Sequence, residues 1–106
     1  MIRATTPKHI FIFDTDPSAF SRILITYAQH GNIVMEKEKD DLTIEQNDDG
    51  SFSAWFRLTQ EETRGFKVSG GSVQIQVRVL TTADEALASE IRNVRVTDVL
   101  NDEVLV

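Results

Sequence analysis

The stretch Ser72-Val73-Gln74-Ile75-Gln76-Val77-Arg78-Val79 decides the fold class. Val73, Ile75, Val77 and Val79 alternate with Ser72, Gln74, Gln76 and Arg78. A period of two is that of a β-strand with one dry and one wet face. β-Branched side chains on the dry face suit a half-buried pleated surface. Val77 is expected at the centre of that buried face. The same theme recurs in short runs along the whole chain.

Upstream, His9-Ile10-Phe11-Ile12-Phe13 follows Pro7 and reads as a first strand. Asp14-Thr15-Asp16-Pro17-Ser18 is turn chemistry, because Asp side chains bond nearby backbone amides. Arg22 to Tyr27 is a second strand with Ile23, Ile25 and Tyr27 on one face. His30-Gly31-Asn32 breaks the chain, and Ile33-Val34-Met35-Glu36 starts a third strand. Leu42-Thr43-Ile44-Glu45 is a fourth. Asn47-Asp48-Asp49-Gly50 is a hairpin signal, since Gly takes a positive φ cheaply. Phe52, Ala54, Phe56 and Leu58 then share one face of a fifth strand.

Thr59 followed by Glu62 matches a capping box, with Glu61 and Glu62 in the first turn where the helix dipole favours acids. One or two helical turns over residues 59–66 are expected. Gly70-Gly71 releases the chain into the Val73–Val79 strand. Residues Ala86 to Val96 hold the last strand, where Asn93 breaks the alternation set by Ile91 and a bulge is expected. The spacing of turn signals, roughly 8–12 residues, is that of a sandwich. The reading is an all-β, immunoglobulin-like antiparallel β-sandwich of about seven strands with one short helical turn. It is one domain, with its core over residues 8–97 and a C-terminal tail over 98–106.

The 106 residues carry a net charge of −6, 41% apolar residues and no cysteine. A chain of this size buries a core without disulfides or metals. Lack of cysteine removes disulfides, thiolate metal sites and thiol nucleophiles. The acidic surface argues against nonspecific binding to nucleic acid or anionic membrane. No apolar run approaches the roughly 20 residues of a membrane span. The first eight residues lack the apolar core of a signal peptide, so synthesis and folding in a cytoplasm are expected.

Candidate chemistry is sparse. Asp14 with Asp16, Asp40 with Asp41, and Asp48 with Asp49 offer paired carboxylates, but the ligand number and glycine of an EF-hand loop are missing. Turns explain these pairs better. His9 and His30 have no sequence partner that suggests zinc or a proton relay. No nucleophile elbow, phosphate loop or zincin motif occurs. No catalytic, cofactor-binding or metal-ligating residue is therefore assigned, and no cofactor is expected. Lys37 and Lys39 stand among Glu36, Glu38, Asp40 and Asp41, an alternation that suits a protected sheet edge. Trp55 points away from the face of Phe52, Ala54, Phe56 and Leu58. It is either covered by the helical turn, which the rarity of bare large apolar side chains favours, or anchors a partner. With the apolar tail Val104, Leu105 and Val106, it completes the set of candidate interaction residues.

Three segments taken together resemble a known group of proteins. They are Ile25-Thr26-Tyr27-Ala28-Gln29 leading to Ile33-Val34-Met35-Glu36-Lys37; Leu58-Thr59-Gln60-Glu61-Glu62-Thr63; and Val73-Gln74-Ile75-Gln76-Val77-Arg78 with Ala88-Ser89-Glu90-Ile91. The combination is similar to small tail-region structural proteins of phages and prophages of low-GC Gram-positive bacteria. It is distantly similar to the N-terminal β-sandwich of phage baseplate upper proteins. The resemblance spans residues 8 to about 100 and rests on packing motifs, so it brings no catalytic residues. It implies a non-enzymatic virion component, made in the bacterial cytoplasm, whose partners are other virion proteins or copies of itself. The alternative from another class is a ligand-binding module, for example one that binds carbohydrate on a sheet face. An open sheet edge together with Val104, Leu105 and Val106 is the expected pairing element.

Overall fold

Two hairpins organise the chain. In the first, β2 (Phe20–Gln29) pairs antiparallel with β3 (Asn32–Glu38). The two residues between them, His30 and Gly31, have φ of 50° and 75°, the positive values that a tight hairpin turn with strand-matching twist requires. In the second, β4 (Thr43–Gln46) pairs with β5 (Phe52–Arg57) across the Asp49-Gly50 turn. Gly50 has φ of 88° and donates to Asn47 O at 3.1 Å.

The structure, a computed structural model, describes residues 1–69 and 71–106; Gly70 enters only as the end of a short 3-10 turn. β1 (Lys8–Phe13) joins the second hairpin to give a sheet ordered β1-β5-β4. β6 (Val73–Thr81) joins the first, and β7 (Ala86–Ala88) and β8 (Arg92–Val94) both pair with β6. The protein is thus an all-β sandwich of two antiparallel sheets, three strands against five. The second strand lies between the third and the sixth, whereas the constant-type immunoglobulin arrangement places it in the sheet of the first, fourth and fifth.

The two last strands are one strand with a bulge. Val77 O accepts from Ser89 N at 2.8 Å, in register with the β7 pairing, whereas Ile75 faces Arg92. Glu90 and Ile91 therefore both stand opposite Gln76, the two-against-one count of a β-bulge. The bulge expected near Asn93 lies two to three residues earlier, and it splits the seventh run into two named strands.

α1 (Gln60–Arg64) is the expected helical turn. Glu62 N donates to Thr59 Oγ1 at 3.1 Å, and Thr59 N donates to Glu62 Oε1 at 2.9 Å. These reciprocal bonds satisfy two of the amides that a helix start leaves orphaned. The side chain of buried Thr63 holds α1 to the N-terminal segment by donating to Thr5 O at 2.9 Å.

The core lies between the sheets. Ile23, Ile25 and Tyr27 of β2, Val73 and Ile75 of β6, and Ala54, Phe56 and Leu58 are buried, with Phe66 beneath α1. Val77, expected at the centre of the buried face, is only half-buried. The dry face of β6 is covered at Val73 and Ile75, but the sheets part beyond that point. A cleft of about 750 Å³ opens there between β1 and the β6–β7 side.

Chain ends meet. Thr97 N donates to Met1 O and Arg3 N to Thr97 O, each at 2.9 Å. Beyond this bridge residues 98–106 form neither strand nor helix. Among the described residues no helix is long and apolar enough to cross a membrane.

Candidate association surface

An open sandwich has strand edges, and an unpaired edge is a template for another chain unless something blunts it. This protein has four, and three carry a blunting device. β3 carries charge: Glu36 and Glu38 lie on one face, and Lys37 points inward, over the Phe56 ring at 5.6 Å and bonded to Glu62 at 2.6 Å. The alternating charges expected to guard an edge thus do so partly by burial, since the Lys37 side chain is only 18% exposed. Burial alone pushes the Glu62 carboxyl up, but the Lys37 ammonium and the Thr59 bonds outweigh it and hold the group below its usual range. β4 is four residues long, wholly exposed and contains Glu45. β7 and β8 are short and broken by the bulge.

β1 carries no such device beyond Lys8 at its first position, whose ammonium lies over Trp55. It is six residues long, contains no Pro and has no register break. Its ladder with β5 runs Lys8↔Arg57 to Phe13↔Phe52, and Leu58 N extends it by donating to Pro7 O at 2.9 Å. Residues of an antiparallel pair alternate between bonding inward and outward. His9, Phe11 and Phe13 therefore bond to β5, and Lys8, Ile10 and Ile12 present N–H and C=O to the open edge. Ile10 and Ile12 are 54% and 61% exposed. A large apolar pair on an unpaired edge is the reverse of what a solitary sheet edge carries.

Behind this edge lies the cleft. Its apolar wall includes Phe11, Phe13, Phe20, Val77, Val79 and Leu87. Phe11 stacks on Phe56 at 6.0 Å and Phe13 packs on Phe20 at 5.8 Å, so the aromatic wall is fixed by the core. Ser89, Glu90 and Arg92 form a polar rim.

Trp55 sits opposite Ile10 and Thr43 on the outer face of the three-stranded sheet. Its ring is covered by the Lys8 ammonium at 3.9 Å, a cation–π contact from the neighbouring strand. The expected cover, α1, is anchored elsewhere, through Thr63 to Thr5 and Glu62 to Lys37. Trp55 Nε1 is buried without a hydrogen-bond partner among the described residues. Trp55 and Ile10 thus share one outer apolar strip beside the open edge.

The tail is tied to the N-terminal segment and to α1. Arg3 bonds Asp98 at 2.8 Å and Asp102 at 3.3 Å, and Gln60 bonds both the N and the O of Leu105 at 2.7 and 3.0 Å. The Val99 amide and then Arg3 hold the Asp98 carboxyl below its usual range. Leu105 is 76% exposed, Val106 is fully exposed and Val104 is half-buried. Ile10 and Ile12 are absent from the candidate interaction residues that the sequence offers, although it carries a signal for them. The run His9–Phe13 is apolar on both faces, which a strand buried on one side does not need.

No group of three or more His, Asp or Glu positioned for a metal ion occurs among the described residues. Comparison with family models, with curated proteins and with solved structures returns no match.

Proposed function

We propose that this protein is a non-enzymatic structural component of a phage or prophage particle, in its tail or baseplate region, and that it acts by protein–protein association. The observation that carries the association half is the unguarded β1 edge, with Ile10 and Ile12 exposed beside an apolar cleft. Edge addition supplies backbone hydrogen bonds for affinity and side-chain pockets for specificity. The virion half rests on the resemblance of the Leu58–Thr63 turn and its flanking strands to phage tail-region proteins. On this reading the chain is made in a bacterial cytoplasm, is incorporated into the particle, and meets neither nucleic acid nor membrane in its role.

The apolar wall of the cleft favours side chains of a polypeptide over a carbohydrate, whose hydroxyls need polar partners. The test is mass spectrometry of particles purified from an induced lysogen. The polypeptide is expected in intact particles, and deletion of its gene is expected to impair their assembly. Normal particles without it would remove the virion reading, and binding of the isolated domain on a glycan array would replace it with the carbohydrate-binding one.

A further inference from the structure

We propose that two copies of this chain pair through β1, antiparallel and about a twofold axis at Phe11, into one continuous six-stranded sheet. The proposal rests on the association reading above and names its partner. Strand and charge geometry select the register. Lys8, Ile10 and Ile12 point their backbone groups outward, so they must pair with outward-pointing residues of the partner. Centring the axis on Phe11 sets Ile10 opposite Ile12 of the second copy, and Lys8 opposite its Asp14. Every pair then lies on a common face, and the isologous contact closes on itself.

Lys8 opens this edge and Asp14 lies in the bend directly after its last residue, Phe13, and both are exposed. Neither takes part in a salt bridge among the described residues. Along an extended strand they stand about 20 Å apart, too far to meet within one chain. An antiparallel second copy brings each to the other, twice per dimer. The same pairing covers Ile10 and Ile12 on the outer face, beside Trp55. On the inner face it sets Phe11 against Phe11 and His9 against Phe13, across the mouths of the two clefts. Among the described residues the other edges lack this self-complementarity: β3 opposes like charges, β4 is short and polar, and β7 and β8 are three residues each and broken by the bulge.

The experiment is sedimentation velocity of the full chain from micromolar to millimolar concentration. The mass is expected to rise from 12.0 kDa toward twice that value. Lys8→Asp and Asp14→Lys each set like charges against one another at both ends. Each is expected to weaken the dimer on the order of tenfold, less so in high salt. The double exchange Lys8→Asp/Asp14→Lys restores opposite charges and is expected to return affinity to within about threefold of the parent. Ile10→Pro removes an outward N–H that β5 does not use, so it should abolish pairing while the circular dichroism spectrum stays that of the parent. A chain that remains 12.0 kDa throughout overturns the pairing and leaves association with a different virion protein standing. A dimer indifferent to the single reversals, or not rescued by the double exchange, also overturns it. So does a dimer lost only when residues 99–106 are removed, which would assign the contact to the tail.

Discussion

His9 and Tyr27 stack ring on ring, 5.7 Å apart and 11° from parallel, and are joined by a hydrogen bond between His9 Nδ1 and the Tyr27 hydroxyl. One residue belongs to the three-stranded sheet and the other to the five-stranded sheet. The pair is therefore a polar rivet between the layers. Phe56 closes it edge-on against both rings, and Phe66 packs on Tyr27. A polar pair with buried Tyr27 and half-buried His9 is tolerated because each partner satisfies the other.

Burial lowers the His9 pKa from its usual 6.5, with the N-terminal ammonium adding to the effect. A base whose folded pKa is depressed binds fewer protons folded than unfolded. Its contribution is full above 6.5 and is lost as pH falls through the lower folded value. The urea midpoint should therefore drop as pH falls below 6.5. His9→Phe should flatten that slope, at the expense of the bond to Tyr27. An unchanged slope in the variant would show that another group sets it. Burial pushes the Tyr27 hydroxyl up, with Glu62 adding to it, so a second loss of stability is expected above the usual pKa of 10.0.

Ile25 and Ile12 are the same residue type in the same kind of alternation, one fully buried and one 61% exposed. Ile25→Ala should cost about 2–5 kcal/mol, through lost transfer energy and the cavity left behind. Ile12→Ala should stay within about 0.5 kcal/mol, as exposed positions do. Val77→Ala should fall between them, because its side chain borders the cleft. Denaturant midpoints of the three variants check the order. A cost at Ile12 as large as that at Ile25, measured at a concentration where the chain is monomeric, would show that Ile12 is covered within its own molecule.

Thr59 accepts from Glu62 N, and Glu62 in turn bonds Thr59 N and Lys37. Thr59→Ala should cost about 1 kcal/mol, the usual effect of removing a cap, and Thr59→Ser should cost much less. Thermal melting of the two variants beside the parent separates a cap from a passive loop residue. The Glu62 carboxyl has a depressed folded pKa, so its share of the stability is present above its usual 4.5 and is lost as pH falls through the folded value.

Gln29 is a buried polar side chain that no sequence pattern singles out. Its amide nitrogen donates to Lys67 O at 2.8 Å and Gly71 O at 3.1 Å, and its oxygen accepts from Lys67 N at 2.8 Å. It thereby fastens the loop before β6 to the end of β2. Gln29→Leu leaves these backbone groups without partners and should cost about 1–3 kcal/mol for each one that water cannot reach. Hydrogen exchange should accelerate at the Lys67 amide in the variant, and retained protection there would assign the loop's anchoring to other contacts.

What could be read in the primary structure is what neighbours in sequence settle among themselves. The Val73–Val79 alternation, the Thr59–Glu62 cap and the Asp49-Gly50 turn each close within a few residues, so their hydrogen bonds and dihedrals need no distant partner. Period-two patterning also revealed that Ile23, Ile25 and Tyr27 share a dry face, but not what would cover it. That answer depends on which strands become neighbours across long loops, and there the fold alone decided. It set β2 between β3 and β6 and brought His9 onto Tyr27. It turned Lys37 inward over Phe56, and left β1 at an edge with Ile10 and Ile12 bare. It also parted the sheets at Val77, so a residue with the pattern of a core centre borders an open cleft. An alternating strand offers the same face to any partner of matching shape, and only the packing of two whole sheets fixes where that face is covered and where it stays open.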